Sequence, residues 1–225
     1  MRQSRSALVF DLDGTLVDSV YQHVVAWHEA LQESGIELSI WRIHRRIGMS
    51  GGLFTRAFLR ETGRDYDPEL IERMRQRHAA AYRKIAHQVR PLPGTRELLS
   101  HLTAIGWPWA IATSGRMETA GPILDMLPIP KDIPIITRDM VAHAKPDPDL
   151  FLAAVDKLGE DGGNAIVVGD SVWDLLAARR AKLLGIGLLS GGYGDDELTR
   201  AGAYRVYDDP AMLLSHLDEV GVRAG

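Results

Sequence analysis

The 225-residue sequence contains no cysteine, which excludes disulfide bonds and metal sites built on thiolates. Its single asparagine, Asn164, does not lie in an N-glycosylation motif. Long hydrophobic runs are also missing, and the stretch before Asp11 has too few apolar residues for a signal-peptide core or a membrane span. We therefore expect a cytoplasmic chain that has no membrane partner.

An excess of positive charge is absent as well. The 26 Lys and Arg residues and the 30 Asp and Glu residues are mixed along the chain and give a net charge of −4. Because a nucleic-acid backbone is bound by clustered basic side chains, we expect no nucleic-acid partner. With 45% hydrophobic residues the chain can bury a substantial core, in one large domain or two small ones. Composition leaves both a monomer and a homodimer open.

The first ninety residues combine one strand pattern with a long helical stretch. The apolar run at residues 7–10 is typical of a parallel strand that is buried on both faces. Residues 19–90 show only helical spacing. The first of these helices is predicted to start with a capping box formed by Ser19 and Gln22.

After a turn-rich joint at residues 91–94, predicted strands alternate with helices. The predicted strands lie at 109–113, 133–137, 165–169 and 183–189. The stretch at 190–197 is interpreted as a loop beside the sheet edge. Such alternation predicts an α/β fold with a doubly wound parallel sheet. We expect a core domain from residues 1–18 and 91–225, with an all-helical cap domain inserted at 19–90.

Polar side chains follow several of the predicted strands directly. In an open parallel sheet, ligands bind beyond the carboxyl ends of the strands, so these side chains are candidates for one shared site. They are Asp11 and Asp13 after the first strand, Thr113, Ser114 and Gly115 after the second, Lys145 in the loop after the third, and Asp170, Ser171 and Asp174 after the fourth.

The acidic residues in this group indicate a cation. Asp11 and Asp13 are two positions apart on an extended segment and should point the same way, with Asp170 as a third carboxylate if its strand is a neighbour. Carboxylates this close favour a bound cation, and hard oxygen ligands beside phosphate are typical of Mg²⁺. An EF-hand calcium loop is excluded, because it would require Gly at Leu16 and Glu at Gln22. A Mg²⁺ site beside hydroxyls and a lysine indicates phosphoryl chemistry.

In these motifs the sequence resembles the haloacid dehalogenase-like (HAD) hydrolase superfamily, in its helical-cap subgroup. The resemblance rests on DLDGT at residues 11–15, Thr113, Lys145 within AKPDPDLF, GDSVWD at 169–174, and the helical insert after the first motif. It covers essentially the whole chain, and it implies a Rossmann-like core.

The resemblance also implies a role for each motif residue. Asp11 would be the nucleophile that forms an aspartyl-phosphate. Asp13 would be the general acid to the leaving oxygen and then the base for the hydrolytic water. The remaining implied roles are phosphoryl binding by Thr113, Ser114, Gly115 and Lys145, and Mg²⁺ binding by Asp11, Asp13 and Asp170 with Asp174 in support.

Two branches of the superfamily remain as interpretations. The chain resembles the phosphoglycolate phosphatase group, which implies Mg²⁺-dependent hydrolysis of the phosphate monoester of a small metabolite. The alternative is a sugar-phosphate mutase of the β-phosphoglucomutase type. That branch has an arginine where Gly51 stands and a lysine where His78 stands, so the loss of both cations favours hydrolysis. A dehalogenase is disfavoured, because that branch lacks an aspartate at the position of Asp13.

The cap contributes candidates whose roles the sequence leaves open. His23 either approaches the leaving group or packs on the first cap helix. The loop from Gly48 to Gly52, with Gly51 as a candidate contact, joins two predicted helices, and its glycines permit close approach to a substrate. A receiver-type phosphoryl-accepting switch is a rival of another class, but it needs no helical insert. An inactive binding protein on the same scaffold is disfavoured, since every motif residue is retained.

Overall fold

The structure is a computed structural model that describes residues 6–61, 63, 67–159 and 164–223. Its strands are β1 (Leu8–Phe10), β2 (Val17–Asp18), β3 (Arg90–Pro91), β4 (Trp109–Ala112), β5 (Ile135–Ile136), β6 (Ile166–Gly169), β7 (Leu184–Leu188) and β8 (Ala203–Tyr207). Its α-helices are α1 (Val20–Gln32), α2 (Ile40–His44), α3 (Gly51–Glu61), α4 (Pro68–Ile85), α5 (Thr95–Ala104), α6 (Met117–Leu124), α7 (Asp149–Leu158), α8 (Val172–Arg180), α9 (Asp195–Ala201) and α10 (Pro210–Ser215). Short 3-10 helices occupy Ala86–Gln88, Arg138–Met140, Leu189–Gly191 and Leu217–Val220.

Six of the strands form one parallel sheet in the order β5-β4-β1-β6-β7-β8. The central strand β1 is fully buried, and its alternating side chains enter two hydrophobic clusters. Leu8 and Phe10 pack into one cluster, and Val9 packs into the other. Helices therefore cover both faces of the sheet, which confirms the predicted doubly wound α/β fold.

Four helices, α1 to α4, lie between β2 and β3. These two short strands pair antiparallel, with Val17 opposite Pro91 and Asp18 opposite Arg90, where the chain leaves the sheet and returns to it. The four helices bury an apolar cluster of their own, which includes Trp27, Phe54 and Met74. This separate cluster supports the predicted division into core and cap, whose boundaries stay a prediction. In the part of the chain that the structure describes, no helix is both long and apolar enough to cross a membrane.

Two local predictions were wrong. Ser19 precedes α1 as its N-cap residue, but its hydroxyl makes no capping hydrogen bond and instead donates to Asp13 Oδ1 at 2.6 Å. The Ser19 hydroxyl thus serves as a donor to a carboxylate, a strong charge-assisted bond, and its oxygen accepts no bond from the first-turn amides of α1.

The second wrong prediction concerns the stretch at 190–197. Its first residues close a 3-10 helix, and its last residues begin α9. Beyond α9 lies β8, a strand that the sequence patterns did not indicate, and β8 forms the sheet edge. Arg205 in the middle of this short strand is exposed, so the segment lacks the apolar run by which the buried strands were recognised.

Candidate active site

The sheet order brings the predicted strand-end residues together. β1 lies between β4 and β6, so Asp11, Thr113 and Asp170 follow three adjacent strands at the same edge. The Asp11 amide donates to the carbonyl of Val168 at 2.9 Å, which continues the ladder one residue past β1. All three side chains are buried. The structure thus places these residues where a parallel sheet holds its ligands.

Lys145 reaches the same point from the loop before α7 and is completely buried. Its ammonium group contacts a carboxylate oxygen of Asp11 and lies 2.7 Å from Asp174 Oδ1. Burial alone would lower the pKa of Lys145, but the charges of Asp11 and Asp174 outweigh burial and raise it. The lysine is therefore a permanently charged cation between two carboxylates.

A cluster of carboxylates adjoins this lysine. Oxygen atoms of Asp11, Asp170 and Asp174 lie within 4.8 Å of one another, and Thr15 donates to Asp170 Oδ1 at 2.9 Å. Asp174 already has other partners, because its Oδ2 accepts hydrogen bonds from the backbone amide of Ser171 at 3.1 Å and from the Ser171 hydroxyl at 2.6 Å. Asp11 and Asp170 therefore could hold a metal ion, and Asp174 could orient Lys145.

Two acids of this cluster, Asp11 and Asp170, have raised pKa values. Burial raises the pKa of Asp11 to about 7, with Lys145 opposing burial and the charges of Asp174 and Asp13 adding to it. Burial also raises the pKa of Asp170 well above its usual range, and the charges of Asp174 and Asp11 raise it further. A divalent cation would satisfy both carboxylates, so the donor set fits Mg²⁺.

Asp13 has different surroundings from Asp11. Besides the hydroxyl of Ser19, its Oδ1 lies 3.2 Å from Nε2 of His23. Burial would raise the pKa of Asp13, but the charge and hydrogen bond of His23 and the bond from Ser19 hold it below its ordinary value. The two carboxylates therefore differ in chemical environment. Asp11 contacts a lysine, whereas Asp13 contacts a hydroxyl and an imidazole.

His23 belongs to an aromatic stack as well as to the polar site. Its ring stacks on Tyr82 at a centroid distance of 4.0 Å, and its Nδ1 lies 3.1 Å from Nε2 of His78. His78 in turn stacks on Trp27 at 4.2 Å. Burial and then the charge of His23 hold the pKa of His78 well below its usual range, so His78 is neutral. His23, on α1, therefore contacts the aromatic residues of α4 as well as Asp13, and its approach to a leaving group stays a prediction.

The loop after β4 meets the loop between α2 and α3. The Gly115 amide donates to the hydroxyl oxygen of Thr113 at 2.9 Å. The Ser114 hydroxyl donates to the carbonyl of Gly48 at 3.0 Å, so this side chain contacts the helical segment. Gly48 has a φ of +93°, and an added methyl group there would lie 2.8 Å from the Ser171 hydroxyl. Glycine is therefore required at this point of close approach. Gly51 is the first residue of α3, and its surroundings lie outside the described part of the structure.

A cavity of about 260 Å³ opens between the sheet edge and the helical segment. Its inner wall contains Asp11, Asp13 and Thr113, and His23 and His78 face them from α1 and α4. The volume is slightly below the ~300–1,000 Å³ of drug-sized sites. The cavity is therefore the size of a small-metabolite site.

The sequence patterns missed some residues of this site. The cavity is also lined by Arg75, Arg116 and Arg138, none of which was predicted. Arg116 directly follows the predicted Thr113 to Gly115 loop, and this adjacency is a signal by which it could have been found. Arg75 and Arg138 carry no such signal, because their positions depend on how α4 and the loop after β5 face the cavity.

Comparison with known proteins agrees with this fold and site. The model of the haloacid dehalogenase-like hydrolases matches residues 6–182 of this sequence. The chain therefore belongs to the haloacid dehalogenase-like hydrolase family.

Individual relatives indicate which kind of enzyme within this family the chain is. A phosphoglycolate phosphatase from Agrobacterium fabrum strain C58 is 34% identical over 224 residues, which are 96% of this chain and 94% of the relative. A crystal structure of a hydrolase from Pseudomonas syringae is 53% identical, with a TM-score of 0.91 over 96% of this chain and 99% of that one. The predicted class, a HAD-type phosphatase, is confirmed. A β-phosphoglucomutase from Clostridium difficile, 22% identical with a TM-score of 0.82 over 96% of each chain, shares the fold only.

Proposed function

We propose that this phosphatase hydrolyses phosphate monoesters of small metabolites through an aspartyl-phosphate on Asp11, with Mg²⁺ as its metal. The observation that carries the proposal is the separation of the two acids of the DLDGT motif. Asp11 lies against Lys145 and the acidic cluster, whereas Asp13 is held by Ser19 and His23. A nucleophile must stay ionised, and Mg²⁺ added to Lys145 would offset the burial that raises the pKa of Asp11. A group that must exchange a proton needs separate partners, which Asp13 has in Ser19 and His23.

The first step uses both acids. A carboxylate oxygen of Asp11 attacks phosphorus, and the bond from phosphorus to the alcohol oxygen breaks as the bond to Asp11 forms. Asp13 gives its proton to the departing oxygen. Free Asp13 is ionised because its pKa is low, but a dianionic phosphate beside it raises that pKa, since a like charge favours the protonated form.

In the second step Asp13 acts as a base. It takes a proton from a water molecule that attacks the phosphorus of the aspartyl-phosphate, which releases inorganic phosphate and restores Asp11. In both steps Lys145 balances the negative charge of the phosphoryl oxygens, and the Thr113 hydroxyl binds them by a hydrogen bond. When bound, Mg²⁺ supplies further positive charge to those oxygens. It would be held by Asp11, the Asp13 carbonyl and Asp170, with Asp174 in support.

The helical segment at 19–90 would act as the cap that closes this site. His23, the loop from Gly48 to Gly52 and Gly51 within it are the proposed substrate contacts from the cap. Closure would exclude bulk water while the phosphoryl group is transferred. We further propose a cytoplasmic enzyme, monomer or homodimer, whose partner is a small phosphorylated metabolite and not a nucleic acid.

Hydrolysis is favoured over the mutase reaction by His78. In the mutase branch a lysine at this position holds a second phosphate, but His78 is half-buried, stacked on Trp27 and kept neutral. A neutral imidazole gives a phosphate no charge compensation. The sugar-phosphate mutase remains the alternative, and it predicts that glucose-phosphate isomers interconvert faster than phosphate is released.

The test is phosphate release from p-nitrophenyl phosphate with Mg²⁺ by the wild type and by Asp11→Asn. The variant should lose activity, and acid-quenched wild-type enzyme should carry a hydroxylamine-sensitive phosphoryl group that the variant lacks. The matched control is Asp18→Asn, seven residues along at an exposed position, which should stay active. Undiminished activity of Asp11→Asn would overturn the mechanism. Release of only one phosphate per chain would indicate a switch instead of an enzyme.

A further inference from the structure

A loop of the core lies between the proposed metal ligand Asp170 and the helical segment at 19–90. This loop covers residues 189–193, which follow β7 and begin with the 3-10 helix Leu189–Gly191. The proposed hydrolysis mechanism uses none of its residues. The loop nevertheless contacts the metal-binding part of the core on its inner side and α2 on its outer side.

The inner side of the loop packs against Asp170. Gly191 is buried, and a methyl group added to it would lie 1.8 Å from Asp170 Oδ2. A methyl group added to Gly14 would lie 2.5 Å from the same oxygen, and the Ser190 hydroxyl donates to the Gly14 carbonyl at 2.6 Å. Because Thr15 donates to the other oxygen of Asp170, two backbone segments and one hydroxyl confine this carboxylate.

The outer side of the loop is bonded to His44, the last residue of α2. His44 Nε2 lies 2.8 Å from the carbonyl oxygen of Gly191. Because a carbonyl oxygen only accepts, Nε2 carries the hydrogen and donates it. The His44 ring stacks on Tyr21 at a centroid distance of 5.3 Å and contacts Tyr193 at 5.8 Å. These ring contacts keep the imidazole directed at the Gly191 carbonyl.

Further contacts hold the end of α2 against the same part of the core. The Arg45 carbonyl accepts hydrogen bonds from the Tyr193 hydroxyl at 2.8 Å and from the Trp173 indole at 3.2 Å. The Arg45 guanidinium lies 4.1 Å from the centroid of the Tyr193 ring and pairs with Glu197. These contacts dock α2 on the loop, and the bond from His44 ends on the residue that packs against Asp170.

We propose that His44 is a positioning residue for the metal ligand Asp170, and that it acts through Gly191 to hold this carboxylate in the place that Mg²⁺ requires. Mg²⁺ demands near-octahedral geometry, so a small displacement of one ligand weakens its binding. His44 belongs to the helical segment and Asp170 to the core, so Mg²⁺ binding also depends on the docking of the helical segment. This inference rests on the proposed function, which assigns Mg²⁺ to Asp170.

The experiment measures the dissociation constant of Mg²⁺ by isothermal titration calorimetry on substrate-free protein that a chelator has stripped of metal. His44→Ala should raise this constant about fivefold, the effect of losing one hydrogen bond. His44→Gln should keep it near the wild-type value, because the side-chain amide can donate to the Gly191 carbonyl in place of Nε2. At saturating Mg²⁺ both variants should retain the wild-type kcat for p-nitrophenyl phosphate. Asp170→Asn should abolish the binding, which identifies the site that the titration reports.

The matched control is His87→Ala. His87 also lies in the helical segment, and its ring also bonds a backbone carbonyl, that of Lys84 at 3.0 Å, so its loss should leave the Mg²⁺ constant unchanged. A lower melting temperature of His44→Ala with a wild-type Mg²⁺ constant overturns the inference, since His44 then serves stability alone. Equally raised constants in His44→Ala and His44→Gln also overturn it. Absence of phosphate release by the wild type with Mg²⁺ instead overturns the proposed function, and the binding constants still decide the role of His44.

Discussion

Replacing Lys145 by methionine should destabilise the metal-free protein strongly. Methionine is similar in length and fills the same buried space, so the change removes mainly the charge that lies between Asp11 and Asp174. Removing one partner of a buried ion pair costs about 3–5 kcal/mol, because the other charge stays buried without compensation. For a chain of this size each kcal/mol shifts the melting temperature by roughly 2–4 °C. We therefore expect a decrease of roughly 6–20 °C.

The assay is thermal unfolding in buffer with a chelator, followed by circular dichroism. Lys84→Met is the matched control, because Lys84 lies 2.6 Å from Glu29 but is exposed, and exposed ion pairs contribute little. The deficit of Lys145→Met should shrink as the pH falls, since Asp11 and its neighbours can then bind protons in the folded state. Combining Asp174→Asn with Lys145→Met should also reduce the decrease in melting temperature, because it removes one uncompensated charge. Equal melting temperatures for Lys145→Met and Lys84→Met would refute this reasoning.

Two further predictions concern the rest of the site. Between pH 7.5 and 5.5 the wild type should lose about 1 kcal/mol more of its free energy of unfolding than His78→Gln, because burial depresses the pKa of His78 and only the unfolded wild type binds its proton at pH 5.5. Urea unfolding at the two pH values measures both losses. Equal losses in the wild type and the variant contradict the prediction. Gly14→Ala should raise the Mg²⁺ concentration needed for half-maximal activity, because a methyl group there lies 2.5 Å from Asp170 Oδ2. Gly106→Ala is the control, since Gly106 also has a positive φ but a methyl group there has no atom within 4 Å. The same Mg²⁺ dependence of activity in Gly14→Ala and the wild type contradicts the prediction.

Much of the core part of the site could be predicted from the sequence, because several of its residues directly follow apolar runs. Asp11, Thr113 and Asp170 are placed by strand ends alone, and a parallel sheet gathers strand ends at one edge. Lys145 was placed in the correct loop by the same argument and by the family motif. The edge strand β8 was missed, because the exposed Arg205 interrupts its apolar pattern.

The contacts between the helical segment and the core could not be predicted in this way. The pairing of His23 with His78 joins residues 55 positions apart, and the meeting of Arg75 with Arg116 and Arg138 depends on how α4 lies across the sheet edge. Helical periodicity indicates which face of a helix is apolar, but it does not fix the position of that helix on another element. For this reason the residues that line the cavity from the helical segment become visible only in three dimensions.

Ser19 illustrates why local sequence rules fail at this site in particular. A Ser before a helix is an N-cap by propensity, yet its hydroxyl bonds Asp13 instead of the helix backbone. The α1 terminus thereby loses a capping bond of about 1 kcal/mol. Asp13 gains a donor that helps to keep its pKa low. A departure from local preference that supports a reactive carboxylate is what is expected where function competes with stability. Asp11 and Asp13 adjoin the same strand, but Asp11 contacts Lys145 whereas Asp13 contacts Ser19 and His23, and these partners give the two carboxylates different surroundings.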